Sequence, residues 1–510
     1  MKNLFTCSLL TVLFLVVYNN GMAQIPIIQS SKTYGGTNDD GMNLFTHTPD
    51  GGYIVSGYTY SSDGDVTSNH GDVDFWLLKL NVSGTIEWQK TYGGSGRDYP
   101  ISVTPGKDGG YVIAGETGSS DGDLVTAHPA GDAWILKVND TGKIEWSTTV
   151  GGSGWDFVNG IDTTSDTCYV VTGGTFSNNG DFSLTQGYSD TWVAKIGAAG
   201  GVIWMKEYGG TGGEYAFNIH QTTDHGYIVA GYTTESPAHA QIIKLDDTGK
   251  VVWSKRYGGS GNDVATDAIP LRGGGYMMCG TTNSKDGDVA SNHGLDDYWL
   301  VRLDDTGRIQ WEKTYGGSKF DFAGGICETI NNDGYVVAGY SGSSNGDVST
   351  NQGLGDGWLI GVDTVGKLLW QKTFGGSKGD SSWGIVANAD GSYTVGCVTT
   401  STNGDVIGNH GGEDMWMVKI FPYQVGIKNQ EINNVKVYPT LTSGLVQIDM
   451  PDGFNNASVR LFDIQGRQVS AFTISGRHTT INIENLPQGA YNLYISSKGL
   501  DANYKIIKVD

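Results

Sequence analysis

Carboxylates recur along this chain at fixed distances from glycine pairs, and they are the residues with the clearest capacity for chemistry. Six positions after the aromatic of each Tyr-Gly-Gly-like triplet stands an acid: Asp40, Asp98, Asp156, Glu214, Asp263, Asp321 and Asp380. Such a set could form a cation-collecting ring, or each acid could accept bonds from the backbone N–H groups of its own turn. Its presence in every copy makes the structural role the simpler one. A second group, Asp-Gly-Asp or Asn-Gly-Asp, stands at 63–65, 121–123, 179–181, 286–288, 345–347 and 403–405. Spaced carboxylates about a tight glycine turn could ligate Ca²⁺, with Asp63, Asp65, Asp121, Asp123, Asp286 and Asp288 as candidate ligands; the closing Glu of an EF-hand loop is missing. Five residues after the second acid come His70, His128, Gln186, His293, Gln352 and His410. Exchange between His and Gln suits a hydrogen-bonding loop residue better than a transition-metal ligand.

One copy departs from the rest. Tyr227 and Gln241 are 14 positions apart where every other copy has 23 between its Tyr and its Trp, so nine residues of loop are missing. The deletion should leave a notch bordered by Glu235, His239 and Gln241, the first place to look for a specific ligand, although a neutral deletion explains it as well. Residues outside the pattern (His220, His225, Arg272, Trp155, Trp383) form no recognisable catalytic set. No nucleophile elbow, zinc motif or phosphate loop is present, and no catalytic residue is assigned.

These side chains must be held by a repeat. Gly-Gly follows Tyr34, Tyr92, Val150, Tyr208, Tyr257, Tyr315 and Phe374, at spacings of 58, 58, 58, 49, 58 and 59 residues. Each copy reads as four short strands joined by Asx-Gly turns, an antiparallel meander. The third strand, as in Phe75-Trp76-Leu77-Leu78, is apolar on both faces and must be covered on both sides. A second tryptophan series (Trp88, Trp146, Trp204, Trp253, Trp311, Trp370) suits the wedge between neighbouring sheets. The Asp two residues before each third-strand Trp is expected to be a turn or edge contact. The seventh copy lacks its fourth strand, whereas residues 27–34 form a fourth strand with nothing before it. Joining the two seals an all-β, seven-bladed propeller and removes the exposed edges.

The pattern YGGSGxD … DGGYVVAGYT … DxWLVKLDxxGxIxW, over about Ile27 to Phe421, resembles the bacterial seven-bladed propeller repeat family, a structural class without a single activity. Residues 1–23 read as a secretory signal peptide, with Lys2, an apolar run from Leu9 to Val17 and a small-residue cleavage site. Residues 24–421 are then the propeller, 422–434 a polar connector and 435–510 a small Ig-like β-sandwich. That last stretch resembles the C-terminal sorting domain of type IX secretion substrates from Bacteroidetes, through Tyr438-Pro439, Gly444, Gly466-Arg467, Leu486, Gly489, Tyr491 and Lys505-Ile506-Ile507-Lys508. The resemblance implies handling by the type IX secretion machinery and delivery, via the periplasm, to the cell surface or medium.

Removing the leader takes one lysine from 32 basic residues and leaves 31 against 54 acidic, a formal charge of −23. Such a surface repels nucleic acid and anionic lipid. Four cysteines remain (Cys168, Cys279, Cys327, Cys397), expected as unpaired thiols within strands. No cofactor is implied beyond the Ca²⁺ loops. The expected function is a non-catalytic propeller binding a glycan, a protein or a surface through its loop face. The alternative is an extracellular lyase or glycosidase using the same face.

Overall fold

The computed structural model describes residues 23–124, 131–183, 187–425, 435–439, 441–451, 456–462, 468–487, 489–497 and 500–508, and among them every regular element is a strand. After β1 (Ala23–Tyr34), the first repeat runs β2 (Asp40–His47), β3 (Tyr53–Thr59), β4 (Asp74–Leu80) and β5 (Ile86–Tyr92), paired in that order. Local chemistry closes the hairpins. In the β4–β5 turn the Asn81 side chain accepts the N–H groups of Ser83 and Thr85 at 2.9 and 3.0 Å. Gly84 follows at φ +75°, a conformation costly for any residue with a Cβ. The β2–β3 ladder carries a bulge at Asn43, where the register shifts between Met42 and Leu44; the same shift recurs in every first strand.

Seven four-stranded sheets of this kind follow one another among the described residues. All seven residues of β4 are buried, as are those of Asp132–Val138, because a neighbouring sheet packs on each face. Third-strand tryptophans Trp76, Trp134, Trp192, Trp299, Trp358 and Trp416 are fully buried. The fourth-strand tryptophans reach forward. Trp88 lies 6.0 Å from Tyr111 of the next sheet and donates to Asp140 O at 2.9 Å; Trp146 repeats this with Tyr169 and Ala198. Tyr92 Oη donates to Gly142 O at 2.6 Å, and Tyr34, Tyr208, Tyr257 and Tyr315 do the same at their junctions. Five of the seven junctions carry this bond; Val150 and Phe374, which stand at the same position in the other two, have no hydroxyl to donate.

The last sheet takes its fourth strand from the start of the chain, in the order β1, then Asp414–Val425, Tyr393–Thr399 and Asp380–Ala387. Ser31 Oγ accepts from Trp416 Nε1 at 2.7 Å and donates to Asp405 O at 3.0 Å. Tyr34, Met42, Val55 and Trp76 share one core with Val398, Met415 and Met417, so the first sheet packs on the last. The first strands of successive sheets also touch one another around the circle, and Asp40–His47 meets Asp380–Ala387. They are the inner wall of the unit Pro26–Pro422.

The second compact unit includes Tyr423–Asp510. It holds a three-stranded sheet (Lys436–Tyr438, Leu445–Asp449, His478–Asn482) and a five-stranded one (Leu441–Thr442, Leu500–Lys508, Gly489–Ser497, Asn456–Phe462, Gln468–Ser475). Their inward residues, among them Val446, Ile448, Val459, Leu461, Leu493 and Ile506, form one core. Gly489 opens a strand, and Tyr491 is buried with its hydroxyl donating to Pro487 O at 2.5 Å. Gly466 and the Lys505 side chain lie outside the described residues, as does the leader up to residue 22. The four cysteines among the described residues are unpaired; Cys168 sits just before the strand Tyr169–Thr175 rather than within one.

Candidate functional site

The recurrent first-strand acids are buried and spent on their own repeats. Asp40 accepts Gly36 N–H at 2.6 Å, Ser61 Oγ–H at 2.8 Å and the hydroxyl of Thr59. Asp98, Asp156, Asp263 and Asp380 make the same three contacts with their own Gly, Ser and Thr, and Asp321 makes them with Gly317, Ser343 and Ser341. Glu214 accepts Gly210 N–H at 3.1 Å. Burial holds the carboxyls of Asp40, Asp156, Glu214, Asp263 and Asp321 above the usual carboxylate range.

The Asp-Gly-Asp loops clasp the same turns from the other side. Asp63 accepts the N–H and hydroxyl of Thr37 at 2.8 and 2.9 Å, and Asp65 accepts Gly35 N–H at 3.3 Å. Asp121 and Asp123 take Ser95 N–H and Gly93 N–H at 2.7 and 3.2 Å; Asp286 and Asp288 take Ser260 N–H and Gly258 N–H at 2.6 and 3.1 Å. A cation site would need these oxygens free to converge. Here they face backbone donors, and among the described residues no group of three or more His, Cys, Asp or Glu is arranged to hold a metal ion.

Carboxyls of neighbouring sheets meet in pairs. A Cβ on Gly93 would fall 2.6 Å from Asp74 Oδ1 and 2.7 Å from Asp98 Oδ2, and one on Gly375 would fall 2.7 Å from both Asp356 Oδ1 and Asp380 Oδ2. Asp74, Asp297, Asp356 and Asp414 are buried, and each has one oxygen without a hydrogen-bond partner among the described residues. Burial, reinforced by the facing carboxyl, raises all four. His70, His293 and His410 sit on Asp74, Asp297 and Asp414 at 2.6, 2.7 and 2.9 Å and partly offset the effect. Gln352 stands in that place beside Asp356, whose carboxyl is pushed up to about 6.

The shortened copy does open a cleft, of about 530 Å³, lined by Phe217, Tyr232, Glu235, Ser236, Ala238 and Asn262 among others. Of the three residues expected there, Glu235 lines it, ion-paired with Arg256 at 2.7 Å. His239 and Gln241 do not. His239 opens the third strand, paired with Thr233 as Asp74 is with Thr59, and its Nδ1 lies 4.0 Å from Asp263 Oδ2. Gln241 takes the register of the buried tryptophans, opposite Gly231, and donates weakly to Ser254 Oγ at 3.4 Å. Strand alternation explains both: the missing residues come from the loop, and the strand behind it keeps its register.

Two clusters escaped the sequence reading. His220 Nε2 donates to Asp267 Oδ1 at 2.9 Å, with Asp162 at 4.0 Å, on the first strands of three successive sheets. Burial alone would lower its pKa; the two carboxylates outweigh that and lift it to about 9, so the imidazole is held as a cation. Stacking the repeats one above another would have shown Asp162 and His220 at the same strand position. The second cluster is aromatic. Trp155, Phe157, Phe176, Tyr188, Tyr215, Tyr232 and Phe217 are in ring contact from the third sheet to the cleft, at the end of the sheets that carries the glycine turns and the Asp-Gly-Asp loops. Trp155 Nε1 donates to Glu116 at 2.7 Å.

Residues 436–509 match the family described as secretion system C-terminal sorting domain, and residues 189–409 match outer membrane protein assembly factor BamB. No curated protein matches the chain. Among solved structures, the WD40 domain of Pan2 from Neurospora crassa is 9% identical with a TM-score of 0.41, covering 74% of this chain and 89% of that one. Sqt1 from Chaetomium thermophilum is 10% identical at a TM-score of 0.43, covering 78% and 100%. A puromycin hydrolase is 12% identical at 0.38, covering 72% and 50%. Likeness at this level carries nothing about activity. No helix among the described residues is long and apolar enough to cross a membrane. The chain is a secreted or cell-surface β-propeller protein that carries a type IX secretion C-terminal sorting domain.

Proposed function

We propose that the mature protein is a seven-bladed propeller, residues 24–421, which binds an extracellular ligand through its loop face and performs no chemistry on it. A leader, residues 1–23, directs export; an Ig-like sandwich, residues 435–510, follows the connector 422–434 and is read by the secretion machinery. One observation carries the binding reading. The first-strand acids and the acids of the Asp-Gly-Asp loops are repeated and engaged by backbone amides and hydroxyls of their own copies, as at Asp40 and Asp63. A group of aromatic residues that break the repeat lies instead on one sector, where a shortened copy leaves a cleft beside their rings. His220 does not supply a general base near neutrality, because Asp267 and Asp162 hold its proton.

The test is a product analysis. The purified mature protein is incubated with a panel of neutral and acidic polysaccharides, and new reducing ends and unsaturated sugars are measured. Retention on a ligand with no new ends supports binding. Turnover of any polysaccharide rejects it in favour of a lyase or glycosidase.

A further inference from the structure

The aromatic rings beside the cleft permit one step more, resting on the binding reading above: we infer that they form a recognition strip for an uncharged oligosaccharide. The strip runs in four steps. Trp155 to Phe176 is 5.6 Å, Phe176 to Tyr215 6.0 Å, Tyr215 to Tyr232 5.3 Å and Tyr232 to Phe217 5.5 Å, and the last two rings line the cleft. Trp155–Phe176, Tyr215–Tyr232 and Tyr232–Phe217 are stacked at interplanar angles of 18°, 17° and 18°, so the rings form one continuous apolar ridge. Trp155 and Tyr188, at the open end, are 46% and 75% exposed.

The chemistry matches a sugar at both its faces. The C–H face of a pyranose carries slight positive charge and sits well on the negative face of an aromatic ring. Its hydroxyl edge needs acceptors and donors, which Glu235, Ser236 and Asn262 provide at the cleft. The chain's formal charge of −22 disfavours sulfated or uronic polymers. A specific protein partner would ask for a broad patch, on the order of 1,200 Å² or more in total, whereas a single row of rings fits a chain-like ligand. The fold does not demand these rings. At the position of Trp155 other copies place Asp39, Arg97, Gly213, Asn262, Phe320 or Gly379, and at that of Phe217 they place Asn43, Ile101, Asn159, Thr266, Gly324 or Trp383, so most copies do without a ring at either place.

The experiment uses the full mature chain. Tryptophan fluorescence and affinity electrophoresis are recorded against hexaoses of β-1,4-linked glucose, mannose and xylose and of α-1,4-linked glucose, with polygalacturonate as the charged comparator. At least one neutral hexaose is expected to bind saturably. Tyr188→Ala should weaken binding about three- to tenfold with unchanged melting, Trp155→Ala should weaken it as much while melting lower for loss of its bond to Glu116, and Trp383→Ala serves as an unaffected control. No binding of any neutral hexaose at millimolar concentration, or binding indifferent to both substitutions, overturns the inference. Attachment to an immobilised protein while every sugar is ignored overturns it too, but leaves the binding reading standing. Release of shortened products instead sinks the binding reading itself.

Discussion

Replacing Asp356 with Asn should stabilise the propeller at neutral pH and leave it unchanged in acid. Asp356 is buried, accepts Gln352 N–H at 2.5 Å, and faces Asp380 across Gly375. Burial first, and the facing carboxyls second, hold its pKa at about 6, above the 3.8 of an ordinary aspartate. Below about 4 it is protonated whether the chain is folded or not, and the folded site is content. Between about 4 and 6 the folded state binds more protons than the unfolded state, so stability falls as pH rises through that window. The full shift corresponds to about 3 kcal/mol as an upper figure, reduced by whatever solvent screens the pair. For a unit of roughly 400 residues that is about 3–4 °C in melting temperature. Asn keeps the acceptor for Gln352 and cannot ionise. Calorimetry on wild type and Asp356→Asn from pH 4 to 8 should therefore show melting curves that coincide at pH 4 and separate by up to this amount by pH 7. Gln352→His, which restores the partner seen at Asp74, Asp297 and Asp414, should recover part of the gain. A difference between wild type and variant that is the same at every pH would refute the reasoning.

Three further outcomes are expected. His220→Gln should cost about 1–3 kcal/mol at pH 7, because Asp162 and Asp267 lose the cation between them; the wild-type advantage should be complete below about pH 6.5 and disappear as pH rises through about 9, as read from chemical denaturation across pH. Tyr92→Phe should cost about 1–2 kcal/mol, since Gly142 O loses a buried donor at a sheet junction, as seen in a urea midpoint shift at constant m. Millimolar Ca²⁺ should leave the melting temperature unchanged, while Asp63→Ala should lower it equally with and without Ca²⁺, because that carboxylate serves Thr37.

Much of the fold was legible because the repeat is. Tyr-Gly-Gly, Asx-Gly turns and the doubly apolar third strand each state a local requirement, and seven statements of it leave little freedom. The closing strand was legible from an excess at one end and a deficit at the other. The site was less so. His239 and Gln241 were placed in the notch because counting along a sequence does not show which way a side chain points; their strand register turns them elsewhere. His220 and its partners are 47 or more positions apart, and the ring contacts of Trp155, Phe176 and Tyr215 cross between sheets. Proximity of that kind is created by the circle and is absent from any single copy.

The circle itself is tested most directly by hydrogen exchange on the secreted protein, resolved by peptide. If β1 is the outer strand of the last sheet, backbone amides of residues 27–34 exchange as slowly as those of other outer strands such as Ile86–Tyr92. Fast exchange at 27–34 with the remaining sheets protected would mean that the ring is not closed by β1.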